Sequence, residues 1–215
     1  MKVKNNYLVV GVTLIPEVDE KILHYAKNIS KILSLKIKLV HSLSIHEAQP
    51  YINYAGYPPA LGINPIHSWA KIKSESLTRL SALAQATGVH AEEDFVLAEG
   101  VSEDCLIDEA KKCGAVLIVV GAAATRYKFV PSGFSVAISL LDASPLPVLV
   151  VNNESEVDLT ESTLRMVIAD DLGEFSESAL NTCAAIAKVL PRSEIHHVHV
   201  TGSAGKLLLD TMKKY

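Results

Sequence analysis

Seven consecutive apolar residues, Ala115–Gly121 (AVLIVVG), constrain this chain more than any other feature. A strand with one face in water alternates apolar and polar residues. A strand with no polar position is buried on both faces, inside a parallel sheet with helices on either side. Further strands are expected at 7–14 (YLVVGVTL), Lys36–Leu43 (KIKLVHSL), 93–98 and 147–151 (PVLVV).

Helical periodicity fills the gaps between these strands. Asp19 reads as an N-cap for a helix carrying Ile22, Tyr25, Ala26, Ile29, Ile32 and Leu33. Residues 68–87 place Trp69, Ile72, Leu77, Leu80 and Leu83 on one side, with Gly88 as the stop. Ser102 is expected to cap a helix through Leu106, Ile107 and Ala110 that ends at Gly114, and 132–141 to form a fourth helix. Parallel neighbours need helical crossovers, so the alternation specifies an α/β doubly wound, five-stranded parallel sheet over 1–151.

The length of 215 residues is then half a domain too long. Residues 152–163 (NNESEVDLTEST) are polar and acidic and read as a linker. Beyond them a strand (166–170), a helix from Ser176 and a strand (195–200) recur in the order of the N-terminus, followed by a tail from Gly202. At an offset of 157 to 158 residues, Leu14 matches Leu172, 29–33 (ISKIL) matches 186–190 (IAKVL), and Val40-His41 matches Val198-His199. The segment 164–215 is therefore expected to be a partial second copy of the first domain.

Composition removes several functional classes. With 49% hydrophobic and 20% charged residues the chain is neither disordered nor fibrous. A net charge of −4 without a basic block argues against a nucleic-acid partner. No apolar run is long enough for a bilayer span. Met1-Lys2-Val3-Lys4 mimics a signal n-region, but the apolar stretch after it meets Pro16-Glu17 with no small-residue cleavage site. Cys105, Cys113 and Cys183 form no C-x-x-C and cannot all pair, as in a reducing compartment. A cytoplasmic protein without membrane insertion is expected.

Residues 119–151 (VVGAAATRYKFVPSGFSVAISLLDASPLPVLVV) carry a resemblance to the universal stress protein family, whose fold is adenine-nucleotide α-hydrolase-like and implies strand order 3-2-1-4-5 for the sheet. Members commonly end a strand in glycine, continue with G-x-x-G, nine residues, G-Ser/Thr and a short helix, and finish on a P-V-L-V-V strand. The whole is similar to the tandem two-domain members with the second domain incomplete. Glycines in such a loop let backbone N–H groups and a helix N-terminus approach phosphate, in the crevice where the winding reverses.

The resemblance implies a nucleotide site that this chain keeps in part. Gly121 is present, but Ala124 and Phe134 replace the second and third glycines, with Ser135 and Val136 following. Val12-Thr13 stand where a strand-one aspartate contacts adenine, and Val40 keeps the second-strand position. Gly133 offers a shifted glycine and Arg126 a charge for an anion. In the second copy Asp171 (or Asp170) and Val198 match the adenine end, without a glycine loop to follow.

Three readings follow, in order. The first is a dimeric, non-catalytic stress-response or regulatory module with a degenerate nucleotide loop. The second is an ATP- or ADP-binding member with weak or no hydrolysis. The third is a small-molecule or lipid binder using 46–65, where Tyr51, Tyr54 and Tyr57 give amphipathic contact area. The dimer is expected through the edge strand Val148, Leu149, Val150 and Val151, which pairs with its counterpart in family dimers.

No catalytic residue is assigned. Ser132 or Ser135 with His41 or His46 is only a loose combination, and no G-x-S-x-G or Walker loop is present. Glu17, Asp19 and Asp104 read as first-turn or capping charges, and Cys105 and Cys113 as core residues. His196, His197 and His199 share a strand with no cysteine or carboxylate at ligand spacing, so no metal is expected; Val198 and Val200 would face the core, His197 and His199 a helix layer or solvent.

Overall fold

The computed structural model describes residues 7–43, 65–122, 135–152, 163–170, 176–190, 192–200 and 207–212. The chain divides into two compact units, one of residues 1–27 and 36–153, the other of 28–35 and 154–215.

In the larger unit β1 (Tyr7–Gly11), β2 (Lys36–Leu43), β3 (Phe95–Glu99), β4 (Ala115–Gly121) and β5 (Val148–Val151) form one parallel sheet. Its order is β3-β2-β1-β4-β5, as the family resemblance implies. The crossovers are α1 (Pro16–Leu33), α2 (Pro65–Thr87), α3 (Ser102–Cys113) and α4 (Val136–Ala143). The central strands β1 and β4 hold Leu8, Val9, Val10, Ile118 and Val119 at zero exposure. Burying each such side chain contributes roughly 1.5–3 kcal/mol.

Neighbouring residues at the end of β4 show both faces covered. Val120 belongs to an apolar cluster with Val9, Val40, Ile118, Leu106, Ile107 and Ala110, joined by Ala137 and Leu140 of α4. Gly121, one residue on, lies under Ile22 of α1.

Several boundaries differ from expectation, each for a physical reason. β1 stops at Gly11 because Leu14 adopts a left-handed φ of 61°. α1 begins at Pro16, not behind a cap at Asp19: a proline's fixed φ and missing N–H suit the first helical position. The Ile15 carbonyl accepts the first helical N–H groups, from Val18 and Asp19, at 3.0 and 2.9 Å. Ser102 is the first residue of α3 rather than its cap, and its hydroxyl accepts from Ser42 Oγ at 2.6 Å. Gly114 closes α3 as expected, at φ 66° with its N–H donating to Ala110 and Lys111 carbonyls.

The smaller unit holds β6 (Leu164–Asp170), α5 (Ser176–Val189), β7 (Ser193–Val200) and β8 (Leu207–Met212). β6 and β7 pair in parallel; β8, expected as part of a tail, is a strand running antiparallel to β7. The β6–β7 register repeats that of β1–β2 at an offset of 158 residues. Tyr7 faces Lys36 and Arg165 faces Glu194; Gly11 faces Val40 and Ala169 faces Val198.

Candidate functional site

The winding of the larger sheet reverses between β1 and β4, so their carboxyl ends bound the crevice where open α/β sheets bind ligands. The turn from β1 into α1 carries a set of linked polar groups there. Its centre is Asp19, 1% exposed in the first turn of α1. The Asp19 Oδ1 accepts from the Thr13 N–H at 2.8 Å and from the Thr13 hydroxyl at 2.9 Å. Thr13 Oγ1 in turn accepts the Ile15 N–H at 3.2 Å.

Asp19 Oδ2 is buried without a hydrogen-bond partner. Burial pushes the carboxyl above its ordinary value of 3.8, against the pull of the Thr13 N–H and hydroxyl, the Leu14 N–H and His41. An acid held this way resists ionisation, unlike a solvated first-turn charge.

Two longer-range bonds fix the same turn. The buried His41 on β2 donates from Nδ1 to the Val12 carbonyl at 2.8 Å; since a carbonyl only accepts, the proton sits on Nδ1. Arg79 of α2 donates to the Leu14 carbonyl. The Val12 N–H continues the sheet to Val40 O at 3.0 Å. Thr13, one of the residues the resemblance implies for the site, lies in this turn, on which Asp19, His41 and Arg79 also converge. Only the spacing Thr13 to Asp19 is local enough to have signalled one of them.

Gly121 ends β4, as expected, but its lack of a side chain is explained by packing. A Cβ there would lie 2.7 Å from Ile22 Cδ1. Val40 is 2% exposed within the cluster under α3. Ser135 precedes α4 in extended conformation (φ −92°, ψ 116°), and its side chain makes no capping bond to the helix that starts at Val136. Ala124, Arg126, Gly133, Asp171, Tyr51, Tyr54 and Tyr57 lie outside the described residues.

No family model matches the chain, and no curated protein matches it. Solved structures do match. A universal stress protein from Archaeoglobus fulgidus DSM 4304 aligns with a TM-score of 0.60 at 20% identity, over 95% of this chain and 69% of its own. The fold is that of the universal stress proteins. A second structure, of hypothetical protein MJ0577, whose biochemical function was assigned from its structure, aligns with a TM-score of 0.52 at 14% identity, over 72% of this chain and all of its own.

The universal-stress fold accounts for the strand order and for the short β5 after α4. β5 forms one edge of its sheet, with Val148, Leu149 and Val150 half-buried and Val151 buried. On α4 beside it, Ile138 and Leu141 are 65% and 62% exposed. No described helix is long and apolar enough to cross a membrane, and all three cysteines are free.

Proposed function

We propose that this chain is a universal-stress-type regulatory module, cytoplasmic and non-catalytic, whose first domain has lost the adenine end of the nucleotide site. One observation carries the reading: both donors of Thr13 are taken by the chain's own Asp19 carboxylate, which is sealed from solvent. An exposed acceptor at the end of β1, which could hold an exocyclic amine, is replaced by an internal hydrogen-bonded pair. The shared β1–β2 and β6–β7 register supports a tandem arrangement, with 164–215 as a partial second copy. The experiment is to denature the purified chain, assay the supernatant for adenine nucleotide, and titrate the native chain with ATP and ADP. The expected result is no release and no binding at millimolar nucleotide; release near one per chain overturns the reading.

A second reading, an ATP- or ADP-binding module with little hydrolysis, is favoured by one observation. The N–H groups opening α4 receive no side-chain cap from Ser135, which leaves them oriented as anion donors. The same titration decides between the two.

For assembly we propose a homodimer joined along β5. The edge strand and the exposed Ile138 and Leu141 support it, since an apolar sheet edge is an aggregation liability unless paired.

A further inference from the structure

Because β6–β7 repeats the register of β1–β2, each face of one strand pair has a counterpart in the other. One face of the larger sheet carries Tyr7, Val9 and Gly11 of β1 with Lys36, Lys38 and Val40 of β2. The helix α3 covers it. Val9 and Val40 are buried in one cluster with Leu106, Ile107 and Ala110 of α3, and Tyr7 packs against that cluster. A Cβ on Gly11 would lie 3.2 Å from both Leu106 methyl carbons. Lys38 completes the contact, its Nζ 3.3 Å from the Glu109 carboxylate of α3.

The counterparts in the smaller unit are Arg165, Val167 and Ala169 of β6 with Glu194, His196 and Val198 of β7. Val167 stands in the place of Val9 and Val198 in the place of Val40, so the apolar centre of the face is kept. Its cover is not. Arg165, Val167 and Ala169 are exposed, and Val167, at 67%, is the most exposed large apolar side chain described. The helix α5 packs on β6 and β7 from the other side, where Ile168 is buried. A single exposed valine needs no explanation, but one whose counterpart is sealed under a helix does.

The charges on this face also match those beneath α3. His196 takes the place of Lys38, and Arg165 adds a cation where Tyr7 stands. Both lie near Glu194, at 3.7 and 3.4 Å, but Arg165 and Glu194 are mostly exposed. Such a surface pair is weakly held and can re-form around a second carboxylate.

We propose that the open face of β6–β7 docks an amphipathic helix of a partner protein that carries the pattern of α3. That pattern is apolar residues at i, i+1 and i+4 (Leu106, Ile107, Ala110) with a carboxylate at i+3 (Glu109). The apolar stripe of the partner helix lies over Val167, Ala169 and Val198, and its carboxylate meets His196 and Arg165, a helix-in-groove contact. Closure of two such faces on each other has no counterpart in this chain, whereas the helix-on-face contact has one, residue for residue. The inference stands on the repeated register and is independent of the nucleotide reading.

The test probe is a fluorescein-labelled peptide of residues 101–114 (VSEDCLIDEAKKCG) carrying Cys105→Ser and Cys113→Ser. A lactam between the exposed Asp108 and Lys112 locks it as a helix, since a free peptide this short is marginally helical. Titrated against the full chain and followed by anisotropy, it should bind saturably, one per chain, at micromolar concentration. Val167→Asp in the full chain should abolish binding without lowering thermal stability, because the position is exposed. Leu106→Asp in the peptide should abolish it too, and Glu109→Lys should weaken it by about tenfold, two readouts that leave the protein unaltered. Absence of saturable binding at millimolar peptide, or binding that survives Val167→Asp, overturns the proposal. So does a fall in the mass of the chain on Val167→Asp, which would assign the face to a second copy.

Discussion

The Asp19 carboxylate holds both the N–H and the hydroxyl of Thr13, six residues before it, at 2.8 and 2.9 Å. The link ties the end of β1 to the first turn of α1, and its second oxygen is buried without a partner. The carboxyl is therefore harder to ionise in the folded chain than in the unfolded one. Such an acid stabilises the fold fully below its ordinary value of 3.8 and loses that contribution as pH rises through the raised folded value. Urea unfolding of the unsubstituted chain and of Asp19→Asn across a pH series should show it. The unsubstituted chain loses stability relative to the variant as pH rises from about 4, and the difference is flat thereafter. A difference that grows in favour of the unsubstituted chain with rising pH contradicts the assignment.

Glu109 has the opposite sign. Burial alone would push it up, but the hydrogen bonds and charges of Lys112 and Lys38 hold it below its ordinary 4.5. Lys38 Nζ lies 3.3 Å from Glu109 Oε2, with both side chains largely buried. Lys112 is mostly exposed and contributes little to stability. Glu109→Gln should cost about 1–3 kcal/mol near neutral pH by leaving Lys38 without its counter-charge. That cost should shrink as pH falls below 4.5 through the depressed folded value, measured by the same unfolding series.

If Gly121 is a packing glycine, its substitution should be rescued from the opposite side of the contact. Gly121→Ala should cost about 1–3 kcal/mol by forcing a methyl onto Ile22 Cδ1. Ile22→Val alone should cost about 1 kcal/mol. The double variant should be more stable than the two costs added together, because valine lacks the atom that collides. Strict additivity would falsify the packing explanation.

The β5 edge makes a statement about mass. Light scattering at micromolar concentration should give twice the chain mass. Ile138→Lys combined with Leu141→Lys, both at exposed positions, should lower it without loss of thermal stability. A monomeric mass for the unsubstituted chain would remove the proposed dimer.

The strands of the first sheet were legible because their signal is local: runs such as Ala115–Gly121 have no polar position and can only be central. Boundaries set by backbone chemistry were less so. Asp19 has the residue type of a cap, yet Pro16 opens the helix and the Asp19 carboxylate accepts from Thr13 instead. The site groups missed are those brought in from distance. His41 and Arg79 act on carbonyls of the β1–α1 turn from β2 and α2. β8 is not legible in the sequence because it runs antiparallel to β7, whereas the segments before it repeat parallel crossovers. Val198, expected on the core side, shares the face of the exposed Val167 and Ala169.

The antiparallel course of β8 also bears on the order in which the chain acquires structure. Val200 pairs with Leu207 and Ile195 with Met212, so this strand joins its neighbour by zipping outward from a short connection. In the larger sheet the corresponding edge of β2 must wait for Phe95 to find Leu39 across a long intervening segment that includes α2. Because closing a long segment costs entropy before its contacts form, short-range pairing is quick and long-range pairing slow. The β7–β8 hairpin should therefore gain amide protection early in refolding and the β2–β3 ladder late, although the latter lies nearer the N-terminus.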